Sequence, residues 1–166
     1  YELASAGKGK ILKPVPDDSI ASLNTHDMFP FAAVWDGTDI EQRTALGLLN
    51  KATTNREKRF WEERKRALVR LLQEKGFLDN MHPSAEEVLR ACLAFLSASD
   101  AAVVLVNLED LWLETRPQNI PSTTADIYPS WRNKMRYRID ELCQMPPVID
   151  TLRMVDRIRR RRGPLR

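Results

Sequence analysis

The sequence predicts an α/β fold that is mostly helical and has two short parallel strands, as in the C-terminal portion of a (β/α)8 TIM barrel. Two apolar segments have strand character, Ile20–Asn24 and Ala101–Val106. The long segment between them has helical periodicity, and parallel strands need such a crossover connection. The same residues also fit a helical domain with a small sheet, so the pattern by itself leaves both architectures open.

The segment after the first strand predicts two helices. Thr38 and Glu41 have the spacing of a capping box, which favours a helix running towards Leu49. Asn55 is a candidate cap for the second helix, and Gly76 stands where a terminating glycine is preferred. The apolar residues of this second helix recur at helical spacing: Phe60, Trp61, Ala67, Leu68, Leu71 and Leu72.

A third helix and the second strand follow. Ser84 and Glu87 form another capping-box pattern. The apolar face of the helix that they introduce is predicted to be buried and comprises Val88, Leu89, Cys92, Leu93 and Leu96. The run Ala101–Val106 is unbroken and rich in β-branched residues, which is typical of a strand buried on both faces.

The last part of the chain predicts a loop and two helices. The loop covers Arg116–Thr124, and a helix then places Trp131, Met135, Ile139 and Leu142 in phase, which favours a core position for Trp131, as we also expect for Trp112. Pro146 and Pro147 break this helix, and Val148–Arg161 predicts one more. We therefore expect the barrel portion to span residues 1–145 and a terminal helix with a basic tail to span residues 146–166.

Charge is distributed unevenly along the chain. The net charge is +3, but Arg153–Arg166 alone holds seven arginines and one aspartate, so the preceding residues carry a net charge of −3. A nucleic-acid-binding domain should have a basic face on its folded body, so no nucleic-acid partner is expected. The arginine-rich tail is compatible with contact to phosphate or to an acidic surface, although a frayed, solvated terminus is the favoured interpretation.

The sequence predicts neither a metal site nor a cofactor site. Cys92 and Cys143 are far apart and lack neighbouring His or Cys residues, so no disulfide framework or zinc site is expected. No apolar run approaches the ~20 residues that a membrane span requires, and residues 1–13 lack the apolar stretch of a secretory signal. We therefore expect a cytoplasmic protein without a membrane partner.

Both predicted strands end in polar residues. His26 and Asp27 follow the first strand, and Glu109 and Asp110 follow the second. Catalytic residues of (β/α)8 barrels lie at the carboxyl ends of strands, so this placement fits an active-site rim. Any strand must end in polar residues, however, and composition alone leaves the two interpretations evenly balanced.

Three segments, taken together, carry a more specific signal. They are LNTHDMFPFAAVWDG at Leu23–Gly37, LEDL at Leu108–Leu111 with QNIPST at Gln118–Thr123, and YPSWR at Tyr128–Arg132. In motif content, order and spacing, they resemble the final stretch of the amylomaltase-type 4-α-glucanotransferases of glycoside hydrolase family 77. The resemblance covers roughly Ala21–Leu142 and departs from the family pattern at several positions, among them Pro30, Ser122 and Tyr128. These departures put the preference for glucan chain length in doubt.

The resemblance implies transfer of α-1,4-glucan segments between maltooligosaccharides by a retaining double-displacement mechanism. Such a mechanism needs a carboxylate nucleophile and an acid/base carboxyl. Asp27 matches a third carboxylate, which stabilises the transition state, whereas the nucleophile and the acid/base match nothing in residues 1–24. The remainder of the barrel is therefore an expected partner, and the chain alone is expected to be inactive. The residues matched to substrate binding are His26, Asn119, Glu109, Asp110 and Trp35.

Other interpretations of these residues stay open. His26 and Asp27 also fit a capping or buried polar pair, and Asn119 before Ile120–Pro121 also fits a turn. Trp35 is equally compatible with the core and with a sugar contact, and Glu109 and Asp110 are compatible with a structural role. The alternative function is a non-catalytic helical module that binds α-glucan or another protein.

Overall fold

A computed structural model describes residues 15–161, and these residues form a mostly helical fold with two very short strands. Within this range, no helix combines the length and the apolarity that crossing a lipid bilayer requires. The elements, in chain order, are β1 (Ile20–Ala21), α1 (Phe31–Asp36), α2 (Thr38–Ala45), α3 (Lys51–Glu74), α4 (Ala85–Ser97), β2 (Val103–Val104), a 3₁₀ helix (Leu108–Trp112), α5 (Ile139–Leu142) and α6 (Pro146–Arg161).

The two strands are parallel neighbours, as predicted. Ile20 is in register with Val103, and Ala21 with Val104. The prediction that the second strand is buried on both faces is wrong, because Val103 and Leu105 are 42% and 51% exposed. Ala21 and Ala101 pack into the core, whereas no described element covers the opposite side of this sheet.

Two of the predicted helix caps are wrong. Thr38 is the first residue of α2 rather than its cap, because its N–H and Oγ1 both donate to Asp36 Oδ1. The residue before it, Gly37, has φ of 87°. Gly37 is both the C-cap of α1 and the N-cap of α2. Asn50, not Asn55, caps α3, because its side chain accepts a hydrogen bond from the backbone N–H of Thr53.

The predicted ends of the other central helices are confirmed. Gly76 follows α3 with φ of 73°, the left-handed conformation that glycine adopts most easily. Ser84 and Glu87 make both hydrogen bonds of the capping box at the start of α4. Helix α4 lies at the centre of the core, where it contacts α1, α3 and α6. All of its predicted core residues are buried: Val88, Leu89, Cys92, Leu93 and Leu96.

The helix predicted around Trp131 is wrong except for its last turn, α5. Trp131 has φ of 64° and is 61% exposed, which also contradicts its expected core position. Long-range hydrogen bonds explain the difference, because they tie this segment to an earlier loop. The backbone N–H of Trp131 donates to Gln118 O, and Tyr128 Oη and Asn133 Nδ2 both donate to Pro117 O. Trp112, by contrast, packs against the core as expected.

Helix α6 is confirmed and begins at Pro146, a position at which a helix tolerates proline. It packs on α4 and on the 3₁₀ helix, with Val148 buried in the shared core. The expected fraying does not apply to Arg159, whose guanidinium donates to four backbone carbonyls. These acceptors are the carbonyls of Ser97, Ser99, Ala101 and Ala102, at 2.9–3.5 Å. Residues 162–166 of the predicted tail lie outside the described residues.

Candidate functional site

The loops that follow β1 and the 3₁₀ helix meet through a hydrogen bond between two of the predicted site residues. Asn119 Nδ2 donates to Asp27 Oδ1 at 2.7 Å, across 92 residues of sequence. The other oxygen of this carboxylate, Oδ2, lies 3.3 Å from His26 Nε2. The Asp27 side chain is 52% exposed, so its remaining lone pairs are open to a ligand. A carboxylate with one oxygen bonded to an amide and the other beside an imidazole is well placed to accept hydrogen bonds from hydroxyl groups.

Beneath this carboxylate, a buried aspartate fixes the loop after β1. Asp110 is 2% exposed, and its Oδ1 accepts hydrogen bonds from the backbone N–H of Phe31 at 2.8 Å and from Asn24 Nδ2 at 3.1 Å. Asn107 Nδ2 donates to the backbone carbonyl and to the side-chain oxygen of Asn24. The loop that carries Asp27 is therefore anchored at both ends, at Asn24 and at Phe31.

The burial of Asp110 has an electrostatic consequence. Burial raises the pKa of its carboxyl from 3.8 to about 6, and the negative charge of Glu109 acts in the same direction. The hydrogen bonds from Phe31 and Asn24 favour the ionised form and limit the rise. The hydrogen bonds of Asp110 go to the protein chain, which favours the structural role that the sequence left open for it.

Glu109 lies in a small cleft next to the loop after β1. Its Oε1 accepts a long hydrogen bond of 3.4 Å from Gln118 Nε2. The cleft has a volume of about 70 Å³, and its lining includes His26, Glu109, Arg116 and Gln118. Asp27 does not line the cleft and lies at the exposed surface beside His26. The cleft therefore brings together groups that can donate and accept hydrogen bonds next to the carboxylate.

Trp131 lies beside the predicted site residue His26, where the sequence analysis did not expect it. Its ring centroid lies 5.4 Å from that of His26, with the two planes tilted by 51°. We call His26, Asp27, Asn119 and Trp131 the rim cluster. The apolar residues at helical spacing after it, Met135, Ile139 and Leu142, favoured the wrong prediction. The polar run directly after Trp131, Arg132–Lys134, was the signal that could have placed it at the surface.

Trp35 is not part of the rim cluster. Its ring stacks on Phe31 with a centroid distance of 5.7 Å, and Lys65 Nζ lies 5.8 Å from its centre. It lines a separate, mostly apolar cavity of about 130 Å³ between α1, α3 and α4, together with Leu68 and Cys92. These surroundings are those of a residue at the edge of the core.

The described side chains form no cluster of metal ligands, and Cys92 lies in the core. Across residues 15–161, no three side chains of His, Cys, Asp or Glu converge in a way that could hold a metal ion. Cys92 is buried, and this burial raises the pKa of its thiol to about 12. A thiol in that state is a poor nucleophile, which agrees with the predicted core position of Cys92.

Comparison with known proteins decides the family. A family model described as 4-alpha-glucanotransferase matches residues 2–140, a range that contains the whole rim cluster. The chain belongs to this family. The family resemblance of the three sequence motifs is thereby confirmed.

Curated relatives support the same assignment. A 4-alpha-glucanotransferase of Mycobacterium tuberculosis is 30% identical over 113 residues, which cover 68% of this chain and 16% of the relative. A 4-alpha-glucanotransferase of Haemophilus influenzae is 27% identical over 130 residues, covering 72% of this chain and 18% of the relative. The chain thus spans less than a fifth of the length of these family members.

A solved structure has a similar fold. The crystal structure of amylomaltase from Corynebacterium glutamicum matches with a TM-score of 0.76 at 22% sequence identity. The match covers 92% of this chain and 23% of the amylomaltase chain. The helical arrangement around the short parallel pair is therefore the fold of one part of a larger protein of this family.

Proposed function

We propose that this chain is part of a 4-α-glucanotransferase that transfers α-1,4-glucan segments between maltooligosaccharides with retention of configuration. In this proposal, Asp27 is the carboxylate that stabilises the transition state. A retaining mechanism passes through a glycosyl-enzyme ester and an oxocarbenium-like transition state. Asp27 accepts hydrogen bonds from hydroxyl groups of the sugar as its ring flattens, and bonds that strengthen in the transition state lower the barrier.

One observation carries this proposal, the hydrogen bond from Asn119 Nδ2 to Asp27 Oδ1. Through this bond, two segments that resemble separate family motifs meet on an exposed carboxylate. A carboxylate that only served to end a strand or to cap a helix would not need a partner 92 residues away. Positioned hydrogen-bonding groups of this kind are the main means by which enzymes stabilise developing charge.

We further propose that the chain is the C-terminal part of a (β/α)8 barrel, with residues 146–166 as a terminal helix and tail. The two strands are parallel and adjacent, and the rim cluster and Glu109 lie in the segments that follow their carboxyl ends, where barrel enzymes place their active sites. The side chains of Ile20, Val103 and Leu105 are exposed in this chain, and in the proposal the remainder of the barrel packs against them. That remainder supplies the nucleophile and the acid/base, so this chain alone is inactive.

The other rim residues then act on the sugar around Asp27. His26 and Asn119 hold the carboxylate and donate hydrogen bonds to the same sugar unit. Glu109 accepts hydrogen bonds from sugar hydroxyl groups at the cleft next to His26. Asp110 acts indirectly, by fixing the loop that carries Asp27.

The test is Asp27→Asn in the polypeptide that joins this chain to the upstream part of the barrel. Disproportionation of maltotriose should fall by about 10²-fold or more, because the amide is a weaker acceptor than the carboxylate. Asp79→Asn, which changes an exposed aspartate after α3, is the matched control and should leave the rate unchanged. Full activity of Asp27→Asn would refute the assigned role. Maltooligosaccharide binding without any transfer by the unmodified polypeptide would instead favour the non-catalytic glucan-binding module.

A further inference from the structure

Trp131 exposes a large aromatic surface at the site. Its side chain is 61% exposed, and it neighbours His26, which in turn contacts Asp27. Tryptophan combines a flat apolar face with one N–H donor, and it is usually well buried in folded proteins. Its exposure beside a polar cluster leaves the flat face of the ring available to a ligand.

The backbone around Trp131 is held in a conformation that presents this ring. Trp131 adopts φ of 64°, a left-handed conformation that costs a residue with a large side chain roughly 1–2 kcal/mol. The hydrogen bond from its N–H to Gln118 O, at 2.8 Å, stabilises that conformation. Gln118 directly precedes Asn119, the residue that holds Asp27. The same short loop thus fixes both the carboxylate and the indole ring.

We propose that Trp131 is a sugar-stacking residue, which binds the apolar face of a glucose unit adjacent to the unit that Asp27 holds. This inference rests on the proposed function and adds a specificity-determining residue to it. A pyranose ring has an apolar C–H face and a rim of hydroxyl groups. The indole ring can stack on the C–H face, and His26, Asp27 and Asn119 can form hydrogen bonds with the hydroxyl groups. The ligand class is an α-linked glucan of at least two units.

The stacking contact acts on binding more than on the chemical step. A planar apolar contact to a unit that does not react is equally strong in the ground state and in the transition state. Loss of such uniform binding raises KM and leaves kcat nearly unchanged. Loss of Asp27 has the opposite signature, because its hydrogen bonds strengthen only as the reacting ring flattens.

The experiment compares Trp131→Ala and Trp131→Phe in the polypeptide that joins this chain to the rest of the barrel. With maltotriose as substrate, Trp131→Ala should raise KM by roughly 10-fold and change kcat by less than about 3-fold, as expected for one lost aromatic contact. Trp131→Phe should recover most of the affinity because it keeps a flat ring. Phe60→Ala is the matched control: Phe60 is an exposed aromatic residue, 43% exposed, on α3 and outside the rim cluster, and KM should not change.

A binding measurement without turnover separates this inference from the proposed function. In the Asp27→Asn background, maltoheptaose should change the intrinsic tryptophan fluorescence, and Trp131→Phe should abolish that change while binding persists by calorimetry. An unchanged maltoheptaose affinity in Trp131→Ala would overturn the stacking role, as would a fall in kcat at constant KM. If Trp131→Ala does not fold, the fluorescence response of Trp131→Phe decides the question. Full activity of Asp27→Asn together with weakened binding by Trp131→Ala would refute the catalytic proposal and leave the stacking site standing.

Discussion

Asp110 Oδ1 accepts a hydrogen bond from the backbone N–H of Phe31, the first residue of α1, at a distance of 2.8 Å. The same oxygen accepts from Asn24 Nδ2, so one buried atom fixes both ends of the loop that carries Asp27. A buried carboxyl that organises a loop makes the stability of the protein depend on pH, and it makes the geometry of the rim cluster depend on a residue that does not touch the sugar.

We predict that Asp110→Asn flattens the dependence of stability on pH. Burial raises the pKa of Asp110 from 3.8 to about 6, so the folded chain holds a proton that the unfolded chain releases between these values. The contribution of this group to stability is therefore present below the unfolded pKa and lost as the pH rises through about 6. An Asn Oδ1 can accept the same two hydrogen bonds without a charge, so Asp110→Asn should be more stable at pH 8 by on the order of 2 kcal/mol.

Urea unfolding at pH 4, 6 and 8 measures this effect. Asp140→Asn, at an exposed aspartate of α5, is the control and should follow the unmodified protein at each pH. Asp110→Ala should instead be destabilised by about 2–4 kcal/mol at pH 4, because Phe31 N–H and Asn24 Nδ2 lose their acceptor, and by less at pH 8, where the substitution also removes a buried charge. If the free energy of unfolding of Asp110→Asn changed with pH as it does in the unmodified protein, another group would control that pH dependence.

Removal of the amide at position 119 should impair Asp27 without abolishing its function. Asn119→Ala deletes the 2.7 Å hydrogen bond and leaves the carboxylate free to rotate, so we expect kcat for maltotriose to fall by roughly 10-fold in the complete barrel. Asn119→Asp should lower kcat at least as much, because its carboxylate cannot donate to Asp27 Oδ1 and places a second negative charge beside it. Asn55→Ala, on the exposed surface of α3, serves as the control. An unchanged kcat in both Asn119 variants would indicate that the two side chains separate in solution.

Arg159 should contribute strongly to stability despite its place in an arginine-rich segment. Its two terminal nitrogens donate to four carbonyls at the end of α4 and before β2, so Arg159→Ala leaves several acceptors without a partner. We expect a loss of about 2 kcal/mol in the free energy of unfolding, and a smaller loss for Arg159→Lys, which cannot reproduce the planar fork. Arg157→Ala, two residues earlier and exposed, should change stability by less than about 0.5 kcal/mol. Equal effects of the two alanine variants in thermal unfolding would contradict this view of Arg159.

Ser122 should gain stability when replaced by glycine. Its φ of 67° places a residue with a Cβ in the left-handed region, and glycine removes that strain. After the greater chain entropy of unfolded glycine is included, Ser122→Gly should raise the free energy of unfolding by up to about 1 kcal/mol. Ala125→Gly, in the same loop but without positive φ, should lower it slightly. A lower melting temperature for Ser122→Gly would mean that the serine side chain makes a compensating contact.

Local sequence rules succeeded where neighbouring residues decide the structure. The capping box of Ser84 and Glu87 and the terminating Gly76 require only residues a few positions away, and both are present as predicted. They failed at Thr38, because Asp36, two residues earlier, captured both the N–H and the hydroxyl of the threonine. They failed again at Trp131, where acceptors on Pro117 and Gln118 replaced the expected helical hydrogen bonds.

The sequence by itself determined the family, the parallel strand pair and the central helix α4. It also identified Asp27 as the residue to examine. These results depend on local motifs and on the spacing of apolar residues. The tertiary structure decided which side chains surround Asp27. It joined Asn119 to this carboxylate, buried Asp110 beneath the loop and brought Trp131 beside His26. These contacts link residues 79 to more than 90 positions apart, and only the closing of the chain around α4 brings them together.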